Sequence, residues 1–164
     1  MKLIIMIFLF IELDFWTRAQ VFDDFADGDF KENPTWLGND DLFIINEYNQ
    51  LQLNSDIGGD ACLSVAYKMG EEMEWRFWIK EKFSPSANNY CDVYLISDGQ
   101  DLKTINQAYL LRFGEAGSED VIRLLCLNGD DDIINICSGN DTFLASSFST
   151  FVKVTYDNTN HWKI

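Results

Sequence analysis

MEWRFWIKEKF, residues 73–83, alternates between two kinds of position. Met73, Trp75, Phe77 and Ile79 share one parity, and Glu74, Arg76, Trp78, Lys80 and Lys82 share the other. Successive side chains of a strand point to opposite sides of its sheet. A period of two over this length therefore predicts a half-buried strand. One face is core material. The other is charged and carries a single large aromatic, Trp78.

The same pattern recurs on both sides of this stretch. Residues 21–25 read as a first strand, 26–29 as a turn, and Asn33-Pro34 as a break, because a residue before proline is pushed toward extended geometry. Short strands are predicted over 41–46, 50–54, 61–67, 90–97, 108–113, 120–127, 133–138 and 151–156, and a last one begins at 161. Gly, Asn, Asp, Ser and Pro collect between these runs, where turns need them. Roughly ten short strands without an amphipathic helix predict an all-β chain folded as an antiparallel β-sandwich. No internal repeat or linker divides it, so one domain is expected.

The chain has 164 residues, of which 47% are apolar and 15% aromatic, enough for a core of its own. Its formal net charge is −15. Such a chain repels phosphate backbones and anionic lipid surfaces, so nucleic acid is not an expected partner. The acidity has two readings, solubility of an exported protein or clustered carboxylates that hold Ca²⁺.

Lys2 is followed by an unbroken apolar run, LIIMIFLFI at 3–11, and then by Thr17-Arg18-Ala19, with small residues at −3 and −1 before Gln20. This is the pattern of a secretory signal peptide. The run is too short to span a bilayer as a helix. The alternative is a buried N-terminal strand. The signal reading predicts removal of 1–19, a mature domain of 20–164 without a transmembrane segment, and a secreted or cell-surface location. Lys2, Arg18, Glu12 and Asp14 leave together, so the mature charge stays at −15.

Export would place Cys62, Cys91, Cys126 and Cys137 in an oxidising compartment. Cys126 and Cys137 flank Asn128-Gly129-Asp130-Asp131-Asp132. A hairpin centred between Asp131 and Asp132 sets them opposite one another, which makes Cys126–Cys137 the candidate disulfide. Free buried thiols are the alternative. Zinc is not expected, because no C-x-x-C pair exists and His161 is the sole histidine.

Five segments carry a family resemblance: DDFADGDFKENPTWLGNDDLFIIN (23–46), QLQLN (50–54), EWRFWIKEKFSPSANNYCDVYLISD (74–98), YLLRFGEAGSEDVIRL (109–124) and FVKVTYDNTNHW (151–162). Together they resemble the N-terminal domain of secreted Bacteroidetes proteins that carry lamin-tail domains and a C-terminal sorting signal. The resemblance implies a concanavalin A-like (laminin G-like) jelly roll over nearly all of 20–164. It also implies an exported or cell-surface protein, and it brings no catalytic residue. Family members continue with further strands past the position of Ile164, so it further implies a domain truncated before its last strands. Four cysteines are more than the family leads one to expect.

Some jelly rolls of this kind are glycosidases, which set two carboxylates across a cleft. The alternating E-x-D-x-x-E type of motif is absent here. Glu115, Glu119 and Asp120 lie in or beside a Gly-containing turn, not alternating along a strand. Glu74 and Glu81 are odd-spaced and so point to opposite faces. A non-catalytic domain is the expectation, with a glycoside-active jelly roll as the alternative. Asp23, Asp24, Asp27 and Asp29 are the candidate Ca²⁺ ligands, with Asp130, Asp131 and Asp132 as a second acidic group. DDFADGD departs from an EF-hand loop where Phe25 replaces a ligand and Pro34 replaces the closing Glu. Solvated turn aspartates are the alternative. For binding, Trp78 and Arg76 on the polar face of 73–83, with Tyr94 and Asp92 on one face of 90–97, would stack and hydrogen-bond a glycan or another cell-surface component. The alternatives are a second hydrophobic layer, common in sandwich centres, and a purely structural module. Trp36 and Trp75 are expected in the core.

Overall fold

A computed structural model describes residues 21–114, 121–129, 132–140, 144 and 146–164. The signal-peptide prediction and Glu115, Glu119, Asp120, Asp130 and Asp131 lie outside these residues. Eleven antiparallel strands are present among them: β1 (Leu37–Gly38), β2 (Phe43–Ile45), β3 (Leu51–Leu53), β4 (Leu63–Ser64), β5 (Met73–Glu81), β6 (Cys91–Ser97), β7 (Gln107–Phe113), β8 (Ile122–Asn128), β9 (Ile133–Ser138), β10 (Phe148–Tyr156) and β11 (Trp162–Lys163). A 3₁₀ turn at Asp40–Leu42 precedes β2, and no α-helix occurs among the described residues. No helix there is long and apolar enough to cross a membrane.

Two sheets carry the architecture, a four-stranded one in the order β6-β7-β8-β9 and a three-stranded one in the order β11-β10-β5. β10 pairs with β5 along its whole length, from Phe148 opposite Glu81 to Tyr156 opposite Met73. Directly opposed residues share a face. Trp75, Phe77 and Ile79 therefore line up beside Val152 and Val154, and this face meets Leu95, Leu111, Phe113 and Leu124 of the other sheet. Leu95, Leu111, Phe113, Leu124, Leu144 and Val154 are at most 1% exposed. Full burial of such a side chain contributes about 1.5–3 kcal/mol. Aromatic pairs tie the sheets together at both ends. Phe113 stacks on Phe148 at 5.8 Å between ring centres. Trp162 lies 5.8 Å from Trp75, 4.9 Å from Tyr109 and 4.8 Å from Tyr156. The chain is thus an all-β sandwich.

The far side of the four-stranded sheet is also apolar. Ala108, Leu110 and Leu125 form a smaller core there, with Tyr94, Ile105 and Leu127 packed against it. The N-terminal part is held to the β6 region by side-chain bonds. Ser64 Oγ donates to the Gln100 carbonyl at 2.9 Å, and the Tyr67 hydroxyl donates to the Leu95 carbonyl.

Several sequence expectations are corrected. Residues 21–25 are not a strand, because Asp23 and Asp24 accept the Phe25 and Ala26 N–H groups and Phe25 takes a φ of 55°. These local side-chain bonds compete with a ladder. The run 61–67 shortens to the two residues of β4. The Asn33–Pro34 peptide is cis, with Asn33 at a φ of 52° rather than extended. The β8–β9 hairpin turns earlier than expected, pairing Leu127 with Ile133 and Cys126 with Ile134. A bulge between Leu124 and Leu125 then sets Cys137 opposite Leu124. Cys126 and Cys137 are displaced along the ladder, no bridge joins them, and all four cysteines are free thiols.

Candidate functional site

Alternation in β5 and β10 builds one outer face. Opposite the core-facing residues, β5 presents Glu74, Arg76, Trp78 and Lys80, and β10 presents Ser149, Phe151, Lys153 and Thr155. Trp78 is paired with Phe151, Arg76 with Lys153, and Lys80 with Ser149. Lys163 of β11 lies opposite Thr155 and extends the same face. Trp78 is half-buried, while Phe151 is 85% exposed. The Trp78 indole N–H donates to Ser149 Oγ at 3.0 Å, which fixes the ring edge.

The charges on this face run against the rest of the chain. Arg76, Lys80, Lys153 and Lys163 face outward with Glu74 as the sole carboxylate of those strand positions, in a protein of 12 basic and 27 acidic residues. Glu74 is held between two cations. Arg76 Nε donates to Oε1 at 2.6 Å and Lys153 Nζ approaches Oε2 at 2.8 Å. The Lys153 ammonium and then the Arg76 guanidinium keep the Glu74 carboxyl below its usual range.

At the end of β5 this face runs into an open cavity of about 360 Å³, lined by Lys80, Glu81, Lys82, Ser147, Phe148 and Ser149. Glu81 belongs to the core-facing parity of β5 and is 6% exposed. Neither of its carboxylate oxygens has a hydrogen-bond partner among the described residues. Burial pushes its pKa up to about 7. Burial, followed by the nearby Glu81 and Asp92 charges, pushes the Cys91 thiol up to about 12.

The residues expected to bind together are divided by the sandwich. Val93 and Leu95 of β6 face the central core, so Asp92 and Tyr94 face away from it. Trp78 and Arg76 face away from the same core on the other sheet, so the two pairs occupy opposite outer surfaces. Tyr94 packs against the smaller core, and burial raises its hydroxyl pKa. Asp92 is spent on Arg112, its cross-strand partner, which donates from Nε at 2.8 Å and from Nη2 at 2.7 Å. That guanidinium also lies 4.5 Å from the centre of the Tyr90 ring. Asp92 and Tyr94 are engaged in these contacts on one outer surface, and Trp78 and Arg76 lie on the other.

The Asp23–Asp29 group does not converge. Asp23 accepts from the Phe25 N–H and, at 2.8 Å, from the Trp36 indole N–H. Asp24, Asp27 and Asp29 each accept from backbone N–H groups two residues on. These are Asx turns, and no three His, Cys, Asp or Glu side chains among the described residues are grouped to hold a metal. Trp36 packs near Phe25 at 6.1 Å rather than in the main core, whereas Trp75 is a core residue. Glu74 and Glu81 do lie on opposite faces of β5, and His161 sits exposed beside Thr159 and Asp157 in the last turn.

Phe151 and Lys153 are among the residues of this face that the sequence reading does not single out. Their signal is present, since 151–156 alternates and places Phe151, Lys153 and Thr155 opposite Val152 and Val154. Glu81 likewise continues the core parity of 73–79. No protein-family model, curated protein or solved structure matches the chain.

Proposed function

We propose that this chain is an exported, non-catalytic β-sandwich that binds glycan through the outer face of β5 and β10. The observation that carries the reading is the Trp78–Phe151 pair on the outer face of the β5–β10 ladder. A sugar ring presents C–H groups that stack on an aromatic ring, while its hydroxyls need polar partners at the rim. Trp78 and Phe151 supply the first, and Arg76, Lys153 and Ser149 supply the second. An 85%-exposed phenylalanine adds nothing to the core, and exposed aromatics with polar neighbours are typical of recognition surfaces. The face is also fixed in advance by its ladder, so little ordering is required on binding. A concanavalin A-like jelly roll, as the family resemblance implies, is compatible with this arrangement.

Glycan-array binding tests this directly. The wild type should bind, and Trp78→Ala and Phe151→Ala should each lower affinity by about tenfold, the loss of roughly 1.4 kcal/mol of contact. Equal binding by the wild type and both variants would remove the face from consideration. Turnover of a β-glucan by the intact chain would overturn the non-catalytic reading.

A further inference from the structure

We infer that the glycan taken by this face is a carboxylated one, a polysaccharide containing uronate residues. The inference rests on the glycan-binding reading and adds the chemical class. Two observations carry it. The first is charge. Arg76, Lys80, Lys153 and Lys163 collect on one sheet face of a chain whose formal charge is −15. Four of the 12 basic residues thus share a surface that shows one carboxylate among its strand positions. A neutral sugar has no use for this concentration, and a polyanion would be repelled by the remainder of the protein but drawn here.

The second observation is Glu74. Its carboxylate already sits between Arg76 Nε at 2.6 Å and Lys153 Nζ at 2.8 Å. The cross-strand pair Arg76–Lys153 is taken up by Glu74, so Lys80 and Lys163, on either side along the strands, are the cations that meet the carboxylates of a ligand. Cations in a row beside Trp78 and Phe151 suit a chain of rings in which carboxylates recur. One ring stacks on the aromatics while rings to either side place carboxylates near Lys80 and Lys163. Exposed ion pairs are individually weak and are screened by salt, so the acidic preference should be strong in dilute buffer and fade as salt is added.

The experiment uses the full chain and four probes in titration calorimetry: a polygalacturonate oligosaccharide, a neutral β-glucan oligosaccharide of equal length, a sulfated oligosaccharide and an oligothymidylate. The uronate probe should bind about tenfold more tightly than the neutral one at low salt, and the difference should vanish near 0.5 M NaCl, where screening lengths shrink to about 4 Å. A Lys80→Gln/Lys163→Gln variant should lose that tenfold margin while keeping its neutral-glucan affinity. Trp78→Ala should weaken both carbohydrates. Equal, salt-independent affinity for neutral and uronate probes would overturn the acidic-ligand inference and leave glycan binding intact. Tighter binding of the sulfated probe or of oligothymidylate would overturn it in favour of another polyanion. Failure to bind any carbohydrate would sink the glycan reading itself. All the substituted residues lie on the outer face, and unchanged thermal melting serves as the folding control.

Discussion

Replacing Glu81 by glutamine should stabilise the protein, and only above mildly acidic pH. Glu81 sits at the end of β5, 6% exposed, opposite Phe148, with neither carboxylate oxygen partnered among the described residues. Burial disfavours the charged form, raising its pKa from the ordinary 4.5 to about 7. Between those values the folded state binds more protons than the unfolded chain, so stability falls as pH rises. It is full below about pH 4.5, declines through neutrality and levels off once the folded carboxyl ionises. At about 1.4 kcal/mol per tenfold in proton affinity, the span from 4.5 to about 7 amounts to about 3 kcal/mol. The adjoining open cavity admits water beside the carboxylate and lowers the expected figure to about 2 kcal/mol. Glutamine keeps the shape and cannot ionise. Urea unfolding followed by tryptophan fluorescence at about pH 5 and about pH 8.5 measures the effect. The wild type should lose about 2 kcal/mol relative to Glu81→Gln between those conditions. Parallel pH profiles for the two proteins would show that the carboxyl is not destabilised by its burial, and the reasoning would fail.

Three further outcomes follow from the packing. Leu111→Ala, at a position with no exposed surface, should lower stability by about 2–5 kcal/mol in the same urea assay. Asp92→Ala removes the carboxylate that accepts both bonds from Arg112; it should cost about 3 kcal/mol and leave uronate affinity unchanged, since Asp92 faces the opposite surface from Trp78. Among the thiols, exposed Cys137 should react with a colorimetric thiol reagent in the native protein, whereas Cys91, with its pKa pushed up to about 12, should react only on unfolding.

The β8–β9 hairpin shows why a local reading falls short. Symmetry about the aspartates between Cys126 and Cys137 suggests that the two thiols face each other. The observed register instead pairs Cys126 with Ile134, and a bulge shifts Cys137 opposite Leu124. Hairpin register depends on turn geometry and on which residues the opposite sheet must bury, and neither is visible in the spacing of two cysteines. The N-terminal aspartates are a similar case. Their density in the sequence invites a metal, yet each carboxylate is taken by a nearby N–H group.

What the sequence by itself determined was parity. The alternation of MEWRFWIKEKF fixed which side of β5 meets the core and which side carries Trp78 among cations, because successive side chains on a strand have no choice but to alternate. The same rule put Glu81 on the inside and Phe151 on the outside. What only the tertiary structure decided was company. Parity assigns Trp78 and Tyr94 each to the side away from the core, but the packing of one sheet over the other turns those two sides to opposite surfaces of the molecule. The pairing of β10 with β5, strands separated by four others, is what set Phe151 beside Trp78 and Lys153 beside Arg76. Long-range strand partners are chosen by the burial of a shared core, and that is a property of the whole chain rather than of any one stretch.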